Sequence, residues 1–281
     1  MYPVSQDYID AIYNSDERNT KIEGTVLLKD NSVINVTSED IIPGSLYISE
    51  QCFSGDDIDI GSVYASEIGF SLFTDMTNPY ALNEARIQMN FGVDTTGELN
   101  FEYVPLGYYY VTDVERKTRS VNLKGLDAMV LFDREDLIGV LRTGTPRELI
   151  DSICTKVGIL LYTDISTFAT FPNASTVFTL PEDSKVETCR DYLMWVCQLI
   201  GCFARMNRMG HLETVPVAIR DSVMTILPEH RMSSDVSDFY TKVTRLSMKI
   251  GETEYSQGND TGASMTLEEN PLLMEKEPEQ I

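Results

Sequence analysis

Short segments of alternating apolar and polar residues follow one another between residues 21 and 135. The first two lie in KIEGTVLLKDNSVINV, where Asp30, Asn31 and Ser32 separate the apolar runs like a hairpin connection. More such segments follow at regular spacing, and glycine and proline occupy the gaps between them. Many short strands with this punctuation are typical of a β-barrel or a β-sandwich. We therefore predict one β domain here.

The apolar spacing becomes helical after Arg134. In TPRELIDSICTKVGILL, Thr145 is the predicted N-cap, Pro146 takes the first helical position, Glu148 completes a capping box and Gly158 ends the helix. The apolar residues of this segment form one stripe at helical spacing, namely Leu149, Ile150, Ile153, Cys154 and Val157. The pattern predicts an amphipathic helix that buries this stripe.

The same arrangement recurs 43 residues later in TCRDYLMWVCQLIGCFA, residues 188–204. The identical pairs in an ungapped alignment are Thr145/Thr188, Arg147/Arg190, Cys154/Cys197 and Gly158/Gly201. Each copy is predicted to be a cap, a helix, a glycine and an apolar strand, and the second copy continues into a hairpin that turns at Met209 and Gly210. We interpret this region as a duplicated helix–strand module.

The β pattern returns near Tyr240, in YTKVTRLSMKIG and GASMTLEENPLL, before the polar ending EKEPEQI. This ending lacks the closure of a finished β domain, so the last domain is expected to be shortened or completed by something else. The predicted fold class is α+β, mainly β, with two β-barrel-like domains flanking a middle α/β module. The predicted parts are an N-terminal arm (1–20), the first barrel (21–135), the duplicated module (136–235) and the start of the second barrel (236–281).

Charge excludes one class of function. The chain carries 44 acidic and 22 basic residues, a net charge of −22. Affinity for nucleic acid rests on lysine and arginine that neutralise phosphates, so a surface that grips phosphate is not expected. The acidic surface favours solubility, and it would also let DNA pass without sticking.

Hydropathy and cysteine usage limit the cellular setting. The sequence contains no apolar run long enough for a membrane span, and its N-terminus does not resemble a secretory signal. The five cysteines are an odd number and are predicted to be reduced thiols that are mostly buried: Cys52, Cys154, Cys189, Cys197 and Cys202.

The acidic stretch SGDDIDIGS is the first candidate for a metal site. Counted from Asp57 as a calcium loop, position 3 is Asp59, but position 5 is Gly61 and position 12 is Ile68, where oxygen ligands are required. The stretch, which includes Asp56, is therefore predicted to be a solvated loop between strands.

Zinc and nucleophile chemistry have weak support. The candidate zinc ligands Cys189, Cys197, Cys202 and His211 are spaced unlike a structural zinc site, which requires closely spaced pairs. Neither His211 nor His230 lies in a nucleophile motif, and no nucleotide-binding loop is present. We predict no catalytic, cofactor-binding or metal-binding residue, no cofactor, and no enzymatic activity in this chain.

Two alternatives stay open. A hydrolase acting on cell-wall or glycan substrates would use a carboxylate pair that the sequence does not identify. A monomeric carbohydrate-binding β protein would need aromatic rings aligned on one exposed face. In GYYYV, Tyr108 and Tyr110 would share a face of a strand, and a core or interface role is favoured for them. Trp195 is predicted at a packing surface of the second helix.

The order of these segments resembles the N-terminal region of bacteriophage and prophage tail hub proteins, baseplate-hub-like proteins that include some labelled prophage tail endopeptidases. The resemblance covers residues 20–250 and includes the helix phrase of the duplicated module. It rests on IIPGSLYISEQC, IGSVYASEIGFSL, PLGYYYV and a strand exit that contains Gly125, Asp127, Met129 and Asp133.

The resemblance implies a structural role. In such hubs, two barrels per chain and three chains per ring adapt a sixfold tail tube to a threefold tip, with the middle domain outside. The expected partners are two further copies in a homotrimer and other tail proteins: the distal tail or tube protein, the tape measure, and tip or fibre proteins. DNA would pass through the lumen without specific binding. The expected location is the virion tail, after assembly in the bacterial cytoplasm. Lytic activity in relatives belongs to downstream regions, so no catalytic residue is carried over.

Overall fold

The computed structural model describes residues 2–13, 18–52, 60–74, 79–217 and 243–274. Its helices are α1 (Gln6–Tyr13), α2 (Pro146–Val157), α3 (Ile165–Phe168) and α4 (Cys189–Leu199), with 3₁₀ turns at Pro79–Leu82, Ala128–Asp133 and Pro271–Leu273. Its strands are β1 (Thr20–Leu27), β2 (Val33–Thr37), β3 (Tyr47–Ser49), β4 (Glu67–Phe73), β5 (Arg86–Asp94), β6 (Phe101–Arg116), β7 (Ser120–Asp127), β8 (Thr143–Gly144), β9 (Phe178–Thr179), β10 (Cys202–Met206), β11 (Leu212–Pro216), β12 (Val243–Ile250), β13 (Thr253–Gly258) and β14 (Ala263–Leu267).

The first β region forms a seven-stranded antiparallel sheet in the order β2-β1-β5-β6-β7-β4-β3. Alternating residues on one face build its core, as the period of two in the sequence requires. The fully buried residues of this core include Val26, Ile68, Phe70, Ile87, Met89, Tyr109 and Leu123. The predicted mainly β character of this region is confirmed.

The sheet does not close into a barrel within the described residues. Its edge strands, β2 and β3, do not pair with each other. Beyond β2, the Asp40 carboxylate accepts the Thr37 N–H at 2.8 Å and turns the chain onto β4, where the Ile42 N–H donates to the Ser71 carbonyl at 2.8 Å. β3 is only three residues long and pairs with β4 alone, so it cannot join the two edges.

A bulge in β6 shifts the alternation of faces by one residue along this 16-residue strand, so residues on either side of it with opposite parity share a face. The register against β5 shifts after Met89, so that Leu106 is the extra residue between Pro105 and Gly107. Gly107 adopts φ +137°, and a Cβ there would lie 2.9 Å from the Tyr109 ring. Only glycine fits this position without displacing that ring.

The duplicated module forms a second core beside the sheet. Thr145 and Thr188 are both N-caps with complete capping boxes, closed by Glu148 in α2 and Asp191 in α4. Gly158 and Gly201 both have positive φ after their helices. The predicted caps and helix ends are therefore confirmed. They could be predicted from the sequence because they depend mainly on nearby residues.

The segments after the two helices meet on β11. The prediction of an apolar strand after α2 is wrong, because that segment makes only a single parallel bridge, between Leu161 and Leu212. Antiparallel pairing joins β10 to β11, and the Tyr162 N–H donates to the Leu212 carbonyl at 2.7 Å from the other side. α2 and α4 pack against each other through buried residues that include Leu149, Ile150, Ile153, Leu193, Val196 and Cys197. The internal repeat therefore folds into one core.

The C-terminal region is a three-stranded sheet in the order β13-β12-β14, with β12 and β14 parallel. Met248 and Ile250 of β12 pack against the module core, and the turn after β14 inserts Leu272 and Leu273 into it. The predicted second barrel is not closed in the described residues, and the domain boundary near residue 235 lies outside them. None of the described helices is long and apolar enough to cross a membrane.

Candidate interaction surface

Four aromatic rings lie on the outer face of β6, opposite the buried face that holds Tyr109. They are Phe101, Tyr103, Tyr108 and Tyr110, since their cross-strand partners on β5 share that face. This confirms the predicted common face of Tyr108 and Tyr110. The resulting row of rings is partly covered, because each is only partly exposed.

Neighbouring residues pack against three of these rings. The Lys21 ammonium lies 5.7 Å from the centre of Phe101, and the Arg86 guanidinium lies 6.0 Å from that of Tyr110. The Tyr103 ring covers Gly92, where a Cβ would clash with it at 2.6 Å. Sugar binding would need free ring faces, so the row does not favour the carbohydrate-binding alternative.

A groove of about 280 Å³ separates this face from the duplicated module. Tyr108 and Tyr110 line one side, and Leu160, Met209 and His211 line the other. Leu160 is 67% exposed, although it is a large apolar residue. Exposed apolar groups around a groove are typical of a surface that contacts another macromolecule.

Asp127 joins the first sheet to the module. Its carboxylate is buried and accepts the Ser66 N–H at 2.9 Å, the Ser66 hydroxyl at 2.7 Å and the Met129 N–H at 2.9 Å. It thereby caps the 3₁₀ turn that carries Met129 and Phe132, both fully buried, into the module core. Desolvation raises the pKa of Asp127, although these hydrogen bonds and Arg190 act in the opposite direction.

A second exposed apolar surface lies beside α2. Ile138 is 83% exposed on a loop that Lys156 holds in place by donating to Asp136 at 2.6 Å and to the Ile138 carbonyl at 2.8 Å. The hydrogen bond from Lys156 is the main cause that lowers the pKa of Asp136. A depression of about 440 Å³ lies beside it, lined by Glu148 and Asp151 among others.

The carboxyl groups of this depression do not form an acid–base pair. Hydrogen bonds from the backbone and hydroxyl of Thr145 lower the pKa of Glu148, and Asp151 lies 3.7 Å from Arg147. Burial raises the pKa of Asp127, but this carboxylate lines none of the depressions and caps the turn at Met129. A hydrolase needs a raised and a lowered carboxyl group across one cleft, so this alternative gains no support.

The fold is similar to that of a prophage tail protein. The solved structure is the crystal structure of the prophage MuSo2 43 kDa tail protein from Shewanella oneidensis. It matches with a TM-score of 0.51 at 11% identity, over 88% of this chain and 71% of that one. The virion of a native gene transfer agent particle also matches, with a TM-score of 0.31 at 9% identity over 46% of this chain and 47% of that one. No protein-family model and no curated protein match the sequence.

The structure separates the candidate metal ligands. Cys189, Cys197 and Cys202 are buried in the module core, whereas His211 lies at the groove with its ring 6.4 Å from that of Tyr162. The described residues contain no group of three or more acidic, cysteine or histidine side chains that could hold a metal. Asp56, Asp57, Asp59 and His230 lie outside the described residues, so the predictions about them stay predictions.

Four of the five cysteines are buried, and only Cys52 is exposed. Burial raises the pKa of Cys154 to about 12 and that of Cys197 well above its ordinary value. Because the thiolate is the reactive form, a thiol-reactive chromogenic reagent should label one cysteine per native chain and all five after denaturation. A Cys52→Ser variant should show almost no native labelling. Rapid native labelling of that variant would contradict the buried assignment.

Sequence patterns missed the groove and the Asp127 junction. Asp127 was noted only as part of a strand exit, and no local pattern shows that Ser66, 61 residues away, donates to it. Leu160 and Tyr162 fall in a segment whose pattern predicts a strand, and Met209 falls at a predicted hairpin turn; neither pattern shows their exposure at the groove, which depends on how the module packs. The one available signal was Tyr108 and Tyr110 on a common strand face.

Proposed function

We propose that this chain is a structural protein of a phage or prophage tail. The observation that carries the proposal is the fold, which matches the prophage tail protein over 88% of this chain. The order of segments in the sequence supports the same conclusion independently. The location that follows is the virion tail, with other tail proteins as partners.

The more specific proposal is a hub. Three copies would form a ring that continues the tail tube and connects it to the tip, with the first sheet and the C-terminal sheet of each copy contributing to the ring. The exposed apolar residues Phe73, Ile138 and Leu160 support this proposal, because a subunit of an assembly exposes apolar groups that its neighbours cover. The net charge of −22 is consistent with a lumen along which DNA slides without binding.

Electron microscopy of the purified chain tests the hub proposal. Two-dimensional averages should show a ring with threefold symmetry and a central opening wide enough for duplex DNA. Single compact particles, or twofold dimers without an opening, would contradict the ring. Adding duplex DNA of mixed sequence should produce no stable complex at physiological salt, in line with the acidic surface.

A further inference from the structure

A basic turn stands out on this acidic protein. Arg116, Lys117 and Arg119 are all exposed at the turn between β6 and β7, three cations within four positions. The Lys117 N–H donates to the Ser120 carbonyl at 2.8 Å and closes the turn. The ion pair recorded for Lys117 is with Glu115 at 3.9 Å, which is weak at an exposed site. The turn therefore presents positive charge in a defined shape.

An exposed apolar residue lies beside this basic turn. Phe73 ends β4, pairs with Ser120 and is 55% exposed. The next residue, Thr74, donates its N–H to the Arg119 carbonyl at 3.3 Å, so the backbone of Phe73 is held at the base of the basic turn. An exposed aromatic residue beside exposed arginines is typical of the centre of a protein interface.

The other end of β6 has the opposite charge. The turn between β5 and β6 exposes Glu98 and Leu99, and Leu99 is 70% exposed. Glu102 lies next to this turn, and its carboxylate accepts the Ser5 N–H at 2.9 Å. This contact brings in α1, whose Asp7 and Asp10 are exposed. The cations near this end are Arg18, Arg208, whose charge acts on Tyr8 of α1, and Lys21, which is paired with Glu23 at 2.6 Å. The acidic groups outnumber them, so this end is acidic.

Asp94 fixes the shape of the acidic turn. Its buried carboxylate accepts the N–H groups of Thr96, Gly97, Leu99 and Asn100 at 3.0 to 3.2 Å. Desolvation opposes ionisation of Asp94, but these hydrogen bonds prevail and lower its pKa. A turn held in this way loses little entropy on binding, so Glu98 and Leu99 are preorganised for contact.

The two turns cannot meet within one chain. They lie at opposite ends of a strand of 16 residues, which spans about 50 Å when extended. A second copy of the chain, however, carries both charges in the same arrangement. Two copies with a net charge of −22 repel each other, so a contact that places the basic turn on an acidic surface is favoured over other orientations.

We propose that copies of this chain associate head to tail, with the β6–β7 turn and Phe73 of one copy docked on the β5–β6 turn and α1 of the next. This inference rests on the proposed ring and specifies its contact. A threefold ring requires such a heterologous contact, in which different surfaces of the two copies meet and the rotation closes the ring. Phe73 and Leu99 supply the apolar centre, and the charges select the orientation.

Charge reversal tests the contact. Arg116→Glu, Lys117→Glu and Arg119→Glu together should weaken assembly at least about tenfold in sedimentation equilibrium, because like charges then face each other. Asp7→Lys with Glu98→Lys should have a similar effect. The five substitutions combined should restore assembly to within about threefold of the original chain, since the two surfaces are complementary again. The matched control reverses three exposed cations elsewhere: Lys124→Glu, Lys185→Glu and Lys249→Glu. Its net charge equals that of the variant with the reversed basic turn, and it should assemble more strongly than that variant.

Cross-linking gives a direct second readout. A carbodiimide joins lysine to a carboxylate in contact, so a mixture of ¹⁵N-labelled and unlabelled chains should yield mixed-isotope peptides that join Lys117 to Glu98 or Asp7. Suppose that the wild-type chain forms a ring without this cross-link, and that the variant with the reversed basic turn still forms the ring. These results would overturn the head-to-tail contact but not the hub proposal. A wild-type chain that neither assembles nor gives the cross-link would overturn both.

Discussion

Replacing Asp127 with alanine should lower the free energy of unfolding by about 3 kcal/mol, because the change leaves buried donors without an acceptor. The substitution removes the acceptor of the buried Met129 N–H group and of the half-buried Ser66 N–H group. It also removes the cap of the 3₁₀ turn that carries Met129 and Phe132 into the module core. Urea denaturation followed by tryptophan fluorescence reports this loss through Trp195 of α4.

The matched control is Asp113→Ala. Asp113 lies on β6 and is exposed, so its removal should change the free energy of unfolding by less than about 0.5 kcal/mol. A loss of less than about 1 kcal/mol for Asp127→Ala would contradict the junction role, since an unsatisfied buried donor alone costs that much.

The raised pKa of Asp127 also predicts how the stability of the chain changes with pH. Its pKa in the folded chain lies above the ordinary value, so between the two values the folded state holds a proton that the unfolded state has lost. The contribution of Asp127 to stability is therefore full below the unfolded pKa and decreases as the pH rises through the folded one. An Asp127→Asn variant lacks this titration. The advantage of the wild type over Asp127→Asn should therefore shrink as the pH rises from about 4, the ordinary carboxyl pKa.

Replacing Asn270 with alanine should cost about 2 kcal/mol and release the C-terminal segment from α4. Asn270 is fully buried, and its amide donates to the Trp195 carbonyl and to Gln198 Oε1, both at 2.9 Å. Its Oδ1 accepts the Leu272 N–H at 3.0 Å and orients the turn that buries Leu272 and Leu273. Without these hydrogen bonds the turn no longer holds the two leucines in the module core.

Hydrogen exchange distinguishes this release from general destabilisation. In Asn270→Ala, amides of residues 268–274 should exchange faster, whereas those of β5 and β6 should keep their protection. Glu268→Ala, an exposed neighbour, should leave both regions unchanged. Equal acceleration throughout the chain would contradict a local anchoring role.

The sequence predicted the local features well. The caps at Thr145 and Thr188, the stops at Gly158 and Gly201 and the buried stripe of α2 depend on residues within one or two turns of each other. The repeat made the α4 prediction stronger, because one pattern specified two helices. Burial of most thiols followed from the same stripe, since Cys154 and Cys197 occupy equivalent positions in it.

Long-range features were not predictable in the same way. Whether the first sheet closes depends on how far β2 and β3 extend and on the turn that Asp40 makes, and the alternating pattern specifies neither. Asp127 and Ser66 meet only because β4 and β7 are neighbours in the sheet. The opposite charges lie at the two ends of one long strand, β6. The sequence pattern does not show this, because Pro105 and Gly107 resemble a gap between two shorter strands.

The native mass in solution tests the central claim most directly. Light scattering behind a sizing column, over a concentration series, measures it without a fitted shape. The hub proposal predicts a species of about 95 kDa, three chains of 31.6 kDa each, that persists on dilution. A single chain mass at every concentration would contradict it.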